Sequence, residues 1–372
     1  MNTRRPVRVL VLGAALAQPM GGVRRHNAEL LPRLAARLQA HGGELVILEG
    51  ATPLPFALPR TIQRLASPVP ATPALWRVRA ETRALGPVLA AARARGAPFD
   101  LVHTGHLPVP KLTGLSAQVP LTVTIHDLRR LERKLTSAPE RFLARKVLDQ
   151  AVRRARSVIT VSETMRAALE AQLEVERARI AVVPNAADHL TPLPREQTLG
   201  APLLYVGHLE PRKNLDLLLR ALQADPGLPT LWLAGRTKGR EAKRLEELAV
   251  ELGVFTRVRF LGAFEEDQLP RLYAQAACVV LPARIEGFGI PALEALRARV
   301  PLCVARGSAL TEVAAGAPDF SPDDPVECAA KIRTALSASP AQLEAAAERA
   351  NAYSWDRSAD AWLEACYAAA RA

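Results

Sequence analysis

Aromatic residues are scarce in this chain: Phe, Trp and Tyr together make up 4% of its 372 residues. Proteins that hold single-stranded nucleic acid stack bases on such rings, and the sequence contains no nucleic-acid motif, so we expect no nucleic-acid partner. Long apolar runs are absent as well. Because a membrane-spanning helix needs about 18 or more consecutive apolar residues, the sequence offers no candidate for one.

Cysteine is equally rare, and the cysteines do not pair by spacing. The four residues are Cys278, Cys303, Cys328 and Cys366, with no CxxC motif among them. This pattern predicts neither a disulfide framework nor a zinc site, and it favours reduced structural thiols in a cytoplasmic protein. The first residues lead into an apolar strand without the small-residue cleavage site of a signal peptide, which agrees with a cytoplasmic location.

Acidic residues are few in the first half of the chain. Residues 1–190 carry 28 Lys and Arg against 14 Asp and Glu, and the whole chain has a formal net charge of +12. The basic excess peaks between Arg129 and Arg156, where apolar residues are interspersed. Two interpretations stay open: a basic amphipathic helix that contacts an anionic membrane from the cytoplasmic side, or a solvated face of an arginine-rich chain.

Apolar strands alternate with helical segments along both halves, which predicts α/β domains with mostly parallel sheets. Strands are expected near residues 7–12, 44–48, 101–103, 121–125, 157–161 and 180–183, and again near 203–206, 230–234, 257–260, 278–281 and 301–304. Residues 51–75 hold six prolines and predict a long loop, and residues 186–202 predict a linker.

The most informative segment for function is 284–295. A buried strand leads into the turn Glu286-Gly287-Phe288-Gly289-Ile290, and a helix with Glu294 follows. Such a turn presents backbone N–H groups and a helix N-terminus to a phosphate. Because a carboxylate would repel that phosphate, Glu286 and Glu294 are expected to bind the neutral hydroxyls of a sugar or ribose. An ordinary strand-to-helix connection is the alternative on this segment alone.

A second turn of the same kind lies upstream. Gly207 and His208 follow a strand, and Arg212 and Lys213 stand at the start of an apolar helix that Asn214 is expected to cap. A diphosphate requires such cations, although a solvated Arg-Lys pair on a turn is an equally common arrangement. Two glycine-containing turns of this type in one sheet favour a nucleotide-sugar site.

Together these segments resemble the retaining glycosyltransferases of family 4, in the mannosyltransferase-like branch. The specific matches are Gly207 with Glu210-Pro211-Arg212-Lys213-Asn214, the strand 258–262, Glu286-Gly287-Phe288-Gly289-Ile290-Pro291 with Glu294-Ala295, Val182-Val183-Pro184-Asn185, and Tyr353-Ser354-Trp355. The resemblance is thinner in the first half, where the matches are Met20-Gly21-Gly22-Val23, Thr124-Ile125-His126-Asp127 and Val161-Ser162-Glu163.

The resemblance implies the GT-B fold, in which two Rossmann-like domains with parallel sheets face each other across a cleft. We expect an N-terminal acceptor-binding domain over residues 1–190 and a C-terminal nucleotide-sugar-binding domain over residues 198–355. A final helix over residues 356–372 is expected to pack back on the N-terminal domain.

It also implies a role for each site residue. Arg212 and Lys213 are expected to neutralise the diphosphate, Glu294 to bind the ribose hydroxyls, and Glu286 to hold the sugar. His208 stands where the family often has Arg, which leaves phosphate binding mainly to Arg212 and Lys213. The further donor-binding residues are Gly207, His208, Phe288, Gly289 and Ile290.

The first domain is expected to add Gly21 and Gly22, whose lack of a Cβ permits close approach to a phosphate. By resemblance His126 contacts the transferred sugar and acts in catalysis with Glu286. Asp127 is expected to orient His126 or to take the acceptor's proton. Without the resemblance, a structural histidine and a flexible loop are the simpler interpretations.

The expected reaction is transfer of a hexosyl group, with retention, from a nucleoside diphosphate sugar to a glycan or lipid-linked acceptor in polysaccharide or cell-envelope biosynthesis. GDP-mannose is the favoured donor, and UDP- and ADP-sugars stay open. No Asp-x-Asp pair stands near these loops, so no metal or cofactor is expected. The alternatives are an epimerase, a sugar phosphate synthase, or a non-catalytic relative that binds nucleotide sugars.

Overall fold

The computed structural model of the protein describes residues 5–18, 21–196 and 200–371. The chain forms two compact units, one made of Met1–Pro184 with Trp355–Ala372 and the other of Asn185–Ser354. Each unit contains one sheet in which every strand pair is parallel, and this confirms the predicted fold class. Within the described residues, no helix has the length and apolar character needed to cross a membrane.

The sheet of the first unit has seven strands. They are β1 (Arg8–Leu12), β2 (Glu44–Glu49), β3 (Gln63–Ala66), β4 (Leu101–Thr104), β5 (Leu121–Ile125), β6 (Ser157–Thr160) and β7 (Ile180–Val182). They lie in the order β3-β2-β1-β4-β5-β6-β7. The middle strands β4 and β5 are buried along their whole length and rich in β-branched residues, as expected for strands covered on both faces.

Helices connect these strands. In the first unit they are α1 (Gly21–Ala40), α2 (Ala74–Ala94), α3 (Ala138–Arg154) and α4 (Glu163–Leu173). Ser162 caps α4 as a cap residue should, since its hydroxyl accepts a hydrogen bond from the N–H of Met165 at 3.1 Å.

The second unit repeats this architecture with six strands in the order β10-β9-β8-β11-β12-β13. The strands are β8 (Leu203–Val206), β9 (Leu231–Ala234), β10 (Val258–Gly262), β11 (Cys278–Leu281), β12 (Leu302–Ala305) and β13 (Asp319–Phe320). The helices are α5 (Leu215–Ala224), α6 (Glu241–Glu251), α7 (Leu269–Gln275), α8 (Ile290–Arg297), α9 (Ala309–Val313), α10 (Pro325–Leu336) and α11 (Pro340–Ala350).

The last helix, α12 (Trp355–Arg371), belongs to the first unit although it follows the second in sequence. It packs along α1, where the Arg37 side chain donates hydrogen bonds to Asp356 and Asp360. The indole rings of Trp355 and Trp362 are almost fully buried. Burial of two such large rings gives this helix a strong apolar anchor in the first unit.

The structure differs from the sequence predictions in the loop 51–75. This segment contains the edge strand β3, which pairs in parallel with β2. The side chains of β3 are exposed or half-exposed, so the strand lacks the apolar signal by which the other strands were recognised. Six prolines around it reinforced the interpretation as a loop.

The predicted glycine loop is also different. Gly21 and Gly22 lie in the first described turn of α1, not in a loop before it. Glycine is a weak helix former, and this is why the sequence favoured a loop at these two residues. Met20, the first residue of the motif, lies outside the described residues.

The boundary between the units falls at Pro184, before the expected domain end at residue 190. The residues that follow it do not form a loose linker. Ala186, Ala187 and Leu190 are buried in the second unit. Farther along, the N–H of Glu196 donates to the carbonyl of Ala274 at 2.8 Å. The segment 185–196 is therefore packed onto the second unit, and residues 197–199 lie outside the described part of the chain.

Candidate active site

The order in which strands are added to the sheet of the second unit reverses at β8. From β8 the chain builds outward to β9 and β10 on one side, and it then returns to build β11, β12 and β13 on the other. Loops that leave the carboxyl ends of β8 and β11 therefore diverge and leave a crevice, which is where open α/β sheets bind ligands. These two loops carry most of the predicted donor-binding residues.

Lys213, Arg212 and Glu286 form one cluster in this crevice. The Lys213 ammonium pairs with Oε2 of Glu286, and Nη1 of Arg212 lies 3.3 Å from the same oxygen. All three side chains are less than one fifth exposed. The N–H of Arg284 also donates to the carbonyl of Arg212 at 3.2 Å, which ties the two loops together. The structure thus brings together three of the predicted site residues.

Electrostatics explain why this cluster stays ionised. Burial by itself would raise the pKa of Glu286, but Lys213 and Arg212 outweigh it and hold that pKa below its usual value. Burial lowers the pKa of Lys213, and the charge of Glu286 opposes this shift. Glu286 therefore holds two cations close together, and Arg212 also pairs with Glu210 at 2.8 Å. A diphosphate that entered the crevice would find both cations and would have to share them with Glu286.

The Asn214 side chain does not cap α5 as the sequence predicted. Its backbone is left-handed, with φ of 57°, and its side-chain amide donates to the carbonyls of Pro282 and Pro322 at 3.2 and 2.9 Å. Asn tolerates this backbone conformation better than most residues do. Asn214 therefore links three loops of the second unit and fixes the position of the neighbouring Lys213.

Gly289 is the sharpest glycine requirement in the site. Its φ is 99°, and a Cβ at this position would approach the side chain of Leu310 to 2.5 Å. Helix α8 then begins at Ile290, and Pro291 lies in its first turn. The ring of Phe288 is buried and packs edge-on against Tyr353, so only the backbone of this residue is suited to ligand binding. This agrees with a turn that offers backbone N–H groups.

Gly207 and His208 follow β8 at the same edge of the sheet. Gly207 has a φ of 146°, and a Cβ there would lie 2.8 Å from the hydroxyl of Tyr205, which itself donates to the carbonyl of His208. Burial, assisted by Lys238, lowers the pKa of His208. At neutral pH this imidazole is uncharged, so it does not replace the arginine that the family often has here.

Glu294, the predicted ribose ligand, is held from two sides. Its Oε1 lies 2.9 Å from Nε2 of His189, and its Oε2 accepts a hydrogen bond of 2.7 Å from the hydroxyl of Tyr273. Sequence reasoning missed both partners. His189 lies in the segment assigned to the linker, and Tyr273 stands in a short helix with no distinctive pattern.

In the first unit the switch point lies between β1 and β4, and four histidines gather there. His26 comes from α1, His103 from β4, His106 from the following loop and His126 from the end of β5. The rings of His26 and His126 meet edge to face with centroids 4.8 Å apart. The Trp362 ring lies tilted against His26 and edge-on to His103, with centroids 5.8 and 4.9 Å apart. Only His126 was expected from the sequence, because histidines scattered over 100 residues show no common spacing.

Three of these imidazoles, those of His103, His106 and His126, are neutral at pH 7. Burial, followed by the positive charge of neighbouring groups, lowers the pKa of His103 and of His106 to about 3 and that of His126 well below its usual value. The Nε2 atom of His126 is buried and finds no hydrogen-bond partner among the described residues. A buried polar atom without a partner is costly, so this nitrogen is suited to an incoming hydroxyl.

Asp127 does not orient His126 in this structure. Its carboxylate accepts a hydrogen bond from the N–H of Arg129 at 3.3 Å and lies 3.6 Å from the Arg129 guanidinium. No hydrogen bond joins Asp127 and His126 in the described parts of the chain. The adjacency of the two residues in sequence suggested a contact that the chain direction after β5 does not provide.

Among the described residues, no group of three or more His, Cys, Asp and Glu side chains is arranged to hold a metal ion.

Comparison with known proteins gives two family matches that together cover most of the chain. The model described as Glycosyltransferase Family 4 matches residues 20–189, and the model described as Glycosyl transferases group 1 matches residues 200–353.

Among curated proteins, the D-inositol 3-phosphate glycosyltransferase of Mycolicibacterium smegmatis is 32% identical over 71% of this chain. The match spans 66% of that protein, just under two thirds of its length. The enzyme of the same description from Corynebacterium urealyticum is 30% identical over 75% of this chain and 74% of its own. The O-antigen chain mannosyltransferase RfbU of Salmonella typhimurium is 28% identical over 60% of this chain and 61% of its own.

Solved structures agree on the fold. Sucrose-phosphate synthase from Thermosynechococcus elongatus superimposes with a TM-score of 0.75 at 20% identity, covering 95% of this chain and 96% of that one. HepE from Anabaena, solved in complex with UDP-glucose, gives a TM-score of 0.64 at 19% identity, with 93% of each chain covered. The chain therefore belongs to glycosyltransferase family 4 and has the GT-B fold.

Proposed function

We propose that this chain transfers a hexosyl group, with retention, from a nucleoside diphosphate sugar to a glycan or lipid-linked acceptor. The observation that carries this proposal is the pair of largely buried cations, Arg212 and Lys213, at the switch point of the second unit. Two cations held together inside a crevice, next to a glycine turn, suit a diphosphate better than any singly charged ligand.

The chemistry assigned to these residues is charge stabilisation. As the bond between the anomeric carbon and the diphosphate breaks, the electron pair passes to the leaving phosphate oxygen, and Arg212 and Lys213 stabilise the charge that develops there. The acceptor hydroxyl forms the new bond and releases its proton, for which Asp127 stays our proposed base. Glu286 is proposed to hold the sugar, and the neutral His126 to contact it. No metal or cofactor is part of this proposal.

GDP-mannose is the donor we propose to test first, because the motif around Arg212 has the form found in the mannosyltransferase-like branch. The relative RfbU is described as a mannosyltransferase, which supports this choice. HepE was solved with UDP-glucose, so UDP-sugars are the first alternative. Relatives described as D-inositol 3-phosphate glycosyltransferases add a phosphorylated polyol to the acceptors to be tested with glycans and lipid-linked sugars.

We further propose a cytoplasmic enzyme that contacts anionic membrane through α3. Its four cysteines are free and buried, as is usual in a reducing compartment. On α3, Phe142 and Leu143 are 62% and 64% exposed among basic residues. A basic helix with exposed apolar side chains suits an anionic lipid surface.

A thermal-shift panel tests the donor proposal. The protein is heated with GDP, UDP, ADP and their glucose and mannose conjugates, because a ligand that binds only the folded state raises the melting temperature. A rise with one base and its conjugates identifies the donor, and the same rise should be absent in Lys213→Ala. No rise with any compound in the native protein would contradict a nucleotide-sugar site.

A further inference from the structure

The carboxylate of Glu294 is fixed by donors from two other segments of the second unit. His189 comes from the packed segment after Pro184, Tyr273 from α7, and Glu294 itself from α8. The side chains of His189 and Glu294 are 7% and 6% exposed, and Tyr273 is fully buried. Each carboxylate oxygen has one of these donors, at 2.9 Å from His189 and at 2.7 Å from Tyr273.

This arrangement fixes the carboxylate without using up its capacity. Each oxygen of an ionised carboxylate can accept about two hydrogen bonds, so one further bond per oxygen is possible. Two neighbouring oxygens with one remaining position each match two neighbouring hydroxyls, such as the 2′ and 3′ hydroxyls of ribose. Burial and the Glu294 charge raise the pKa of Tyr273, so its hydroxyl stays protonated and continues to donate.

His189 is itself held in place. The segment that carries it is anchored by buried Ala186, Ala187 and Leu190, and the N–H of Leu190 donates to the carbonyl of Ala187 at 3.0 Å. A side chain on such a turn has few alternative positions, so His189 can restrict Glu294 to one orientation. Without this donor, a buried Glu294 would be free to rotate toward Tyr273 alone.

We propose that His189 is a positioning residue that, together with Tyr273, orients Glu294 to accept both vicinal hydroxyls of the nucleotide ribose. His189 thereby determines how strongly the protein distinguishes a ribonucleotide from a nucleotide that lacks these hydroxyls. The inference rests on the proposed function, since it requires Glu294 to bind the ribose of the donor.

The test compares two ligands that differ only in these hydroxyls. Isothermal titration calorimetry measures the Kd of the nucleoside diphosphate selected by the thermal-shift panel and of its 2′,3′-dideoxy analogue. The native protein should prefer the ribose form by about tenfold or more, because hydrogen bonds to a charged acceptor are strong. In His189→Ala this preference should fall to within about threefold, while the affinity for the dideoxy analogue stays unchanged.

Further variants separate positioning from folding. His189→Gln can still donate an N–H to Glu294 and should restore most of the preference, and Tyr273→Phe should reduce it. His41→Ala, an exposed histidine of the first unit, is the control and should behave as the native protein.

Several outcomes would overturn the inference. One is an undiminished preference in His189→Ala, and another is an equal loss of affinity for both ligands, which marks a purely structural role. If the native protein binds both ligands equally, Glu294 does not read the ribose. If it binds neither, the proposed function fails as well.

Discussion

The two units share one sheet topology but differ in the charge of the side chains at their switch points. Each builds its sheet outward from a central pair of strands, β1 with β4 and β8 with β11, and each gathers polar side chains where these strands end. In the second unit the polar groups are ionised and paired, Lys213 and Arg212 with Glu286. In the first unit they are imidazoles that burial keeps neutral, among them His103 and His126.

The difference follows from the ligands that we propose for each unit. A diphosphate carries two or more negative charges, and only fixed cations compensate for the loss of its hydration. A sugar or acceptor hydroxyl is neutral, and a neutral imidazole can donate or accept a hydrogen bond to it without the cost of burying a charge. In this proposal one fold serves both ligands through the choice of side chains at a single edge of each sheet.

Removal of the Lys213 ammonium should have the largest effect on activity and stability. In Lys213→Ala, Glu286 keeps only Arg212 as a partner, and the diphosphate loses one of its two cations. We expect the rate of sugar transfer to fall by about 10²–10³-fold and the free energy of unfolding to fall by on the order of 3 kcal/mol. Steady-state kinetics with the identified donor and chemical denaturation measure the two quantities.

Lys243→Ala is the matched control for this variant. Lys243 pairs with Glu247 at 3.8 Å, and both side chains are more than 60% exposed. An exposed pair of this kind contributes about 0–1 kcal/mol, so neither activity nor stability should change appreciably. Equal behaviour of the two lysine variants would show that the crevice does not bind the diphosphate.

Removal of the neutral group in the first unit should be nearly as damaging to transfer, but not to nucleotide binding. His126→Ala should lower the transfer rate by about 10²-fold if the imidazole assists at the reacting sugar. The Kd for the nucleoside diphosphate should stay unchanged, since the side chains that we propose to bind it, Arg212, Lys213 and Glu294, belong to the second unit. The exposed His41→Ala provides the control, and a large loss of nucleotide affinity in His126→Ala would contradict the division of labour.

The sequence predicted the sheets and the charged part of the site because both leave local signals. Buried strands such as β8 and β11 are continuous apolar runs, and the glycine turns next to Arg212 and Glu286 are short motifs. The partners of Glu294 left no such signal. His189 and Tyr273 are separated from it by 105 and 21 residues, so only the folded chain brings them together.

Edges and boundaries were harder to predict for physical reasons. The edge strand β3 has no buried face, so its sequence carries no apolar pattern. The segment 185–196 looks like a linker because its prolines and polar residues interrupt any periodicity, yet hydrogen bonds such as that from Glu196 to Ala274 attach it to the second unit. The histidine cluster also depends on topology, since His26 and His126 lie far apart in sequence and meet only in the folded chain.

Lowering the pH should destabilise the first unit more than the second. An unfolded histidine takes up a proton near pH 6.5, whereas desolvation keeps the imidazoles of His103, His106 and His126 neutral in the folded state. Stability is therefore lost as the pH falls from about 6.5 toward 3, by about 1.4 kcal/mol per pH unit for each histidine. Burial raises the pKa of Glu81 to about 7, so protonation of this residue stabilises the folded state as the pH falls. This gain offsets the stability lost through one of the three histidines.

In the second unit burial lowers the pKa of His208. The ion pairs of Glu286 with Lys213 and Arg212 lose stability only below about pH 4.5. Hydrogen exchange followed by mass spectrometry, corrected for intrinsic rates, should show a steeper loss of protection in first-unit peptides between pH 7 and 5. A steeper loss in second-unit peptides would contradict the assignment of neutral, buried imidazoles to the first unit.

The smallest expected effect concerns the surfaces of the two units. Phe142 and Leu143 are exposed on α3 in the basic first unit, and the Lys146 ammonium lies 4.3 Å from the centre of the Phe142 ring. The double variant Phe142→Ser/Leu143→Ser should bind vesicles that contain anionic lipid about tenfold more weakly in a sedimentation assay, because two apolar side chains no longer enter the interface. The control, Val250→Ser/Val326→Ser, removes side chains that are 62% and 66% exposed in the second unit. An equal loss of vesicle binding in both double variants, or no loss in either, would favour the interpretation of the basic segment as a solvated surface.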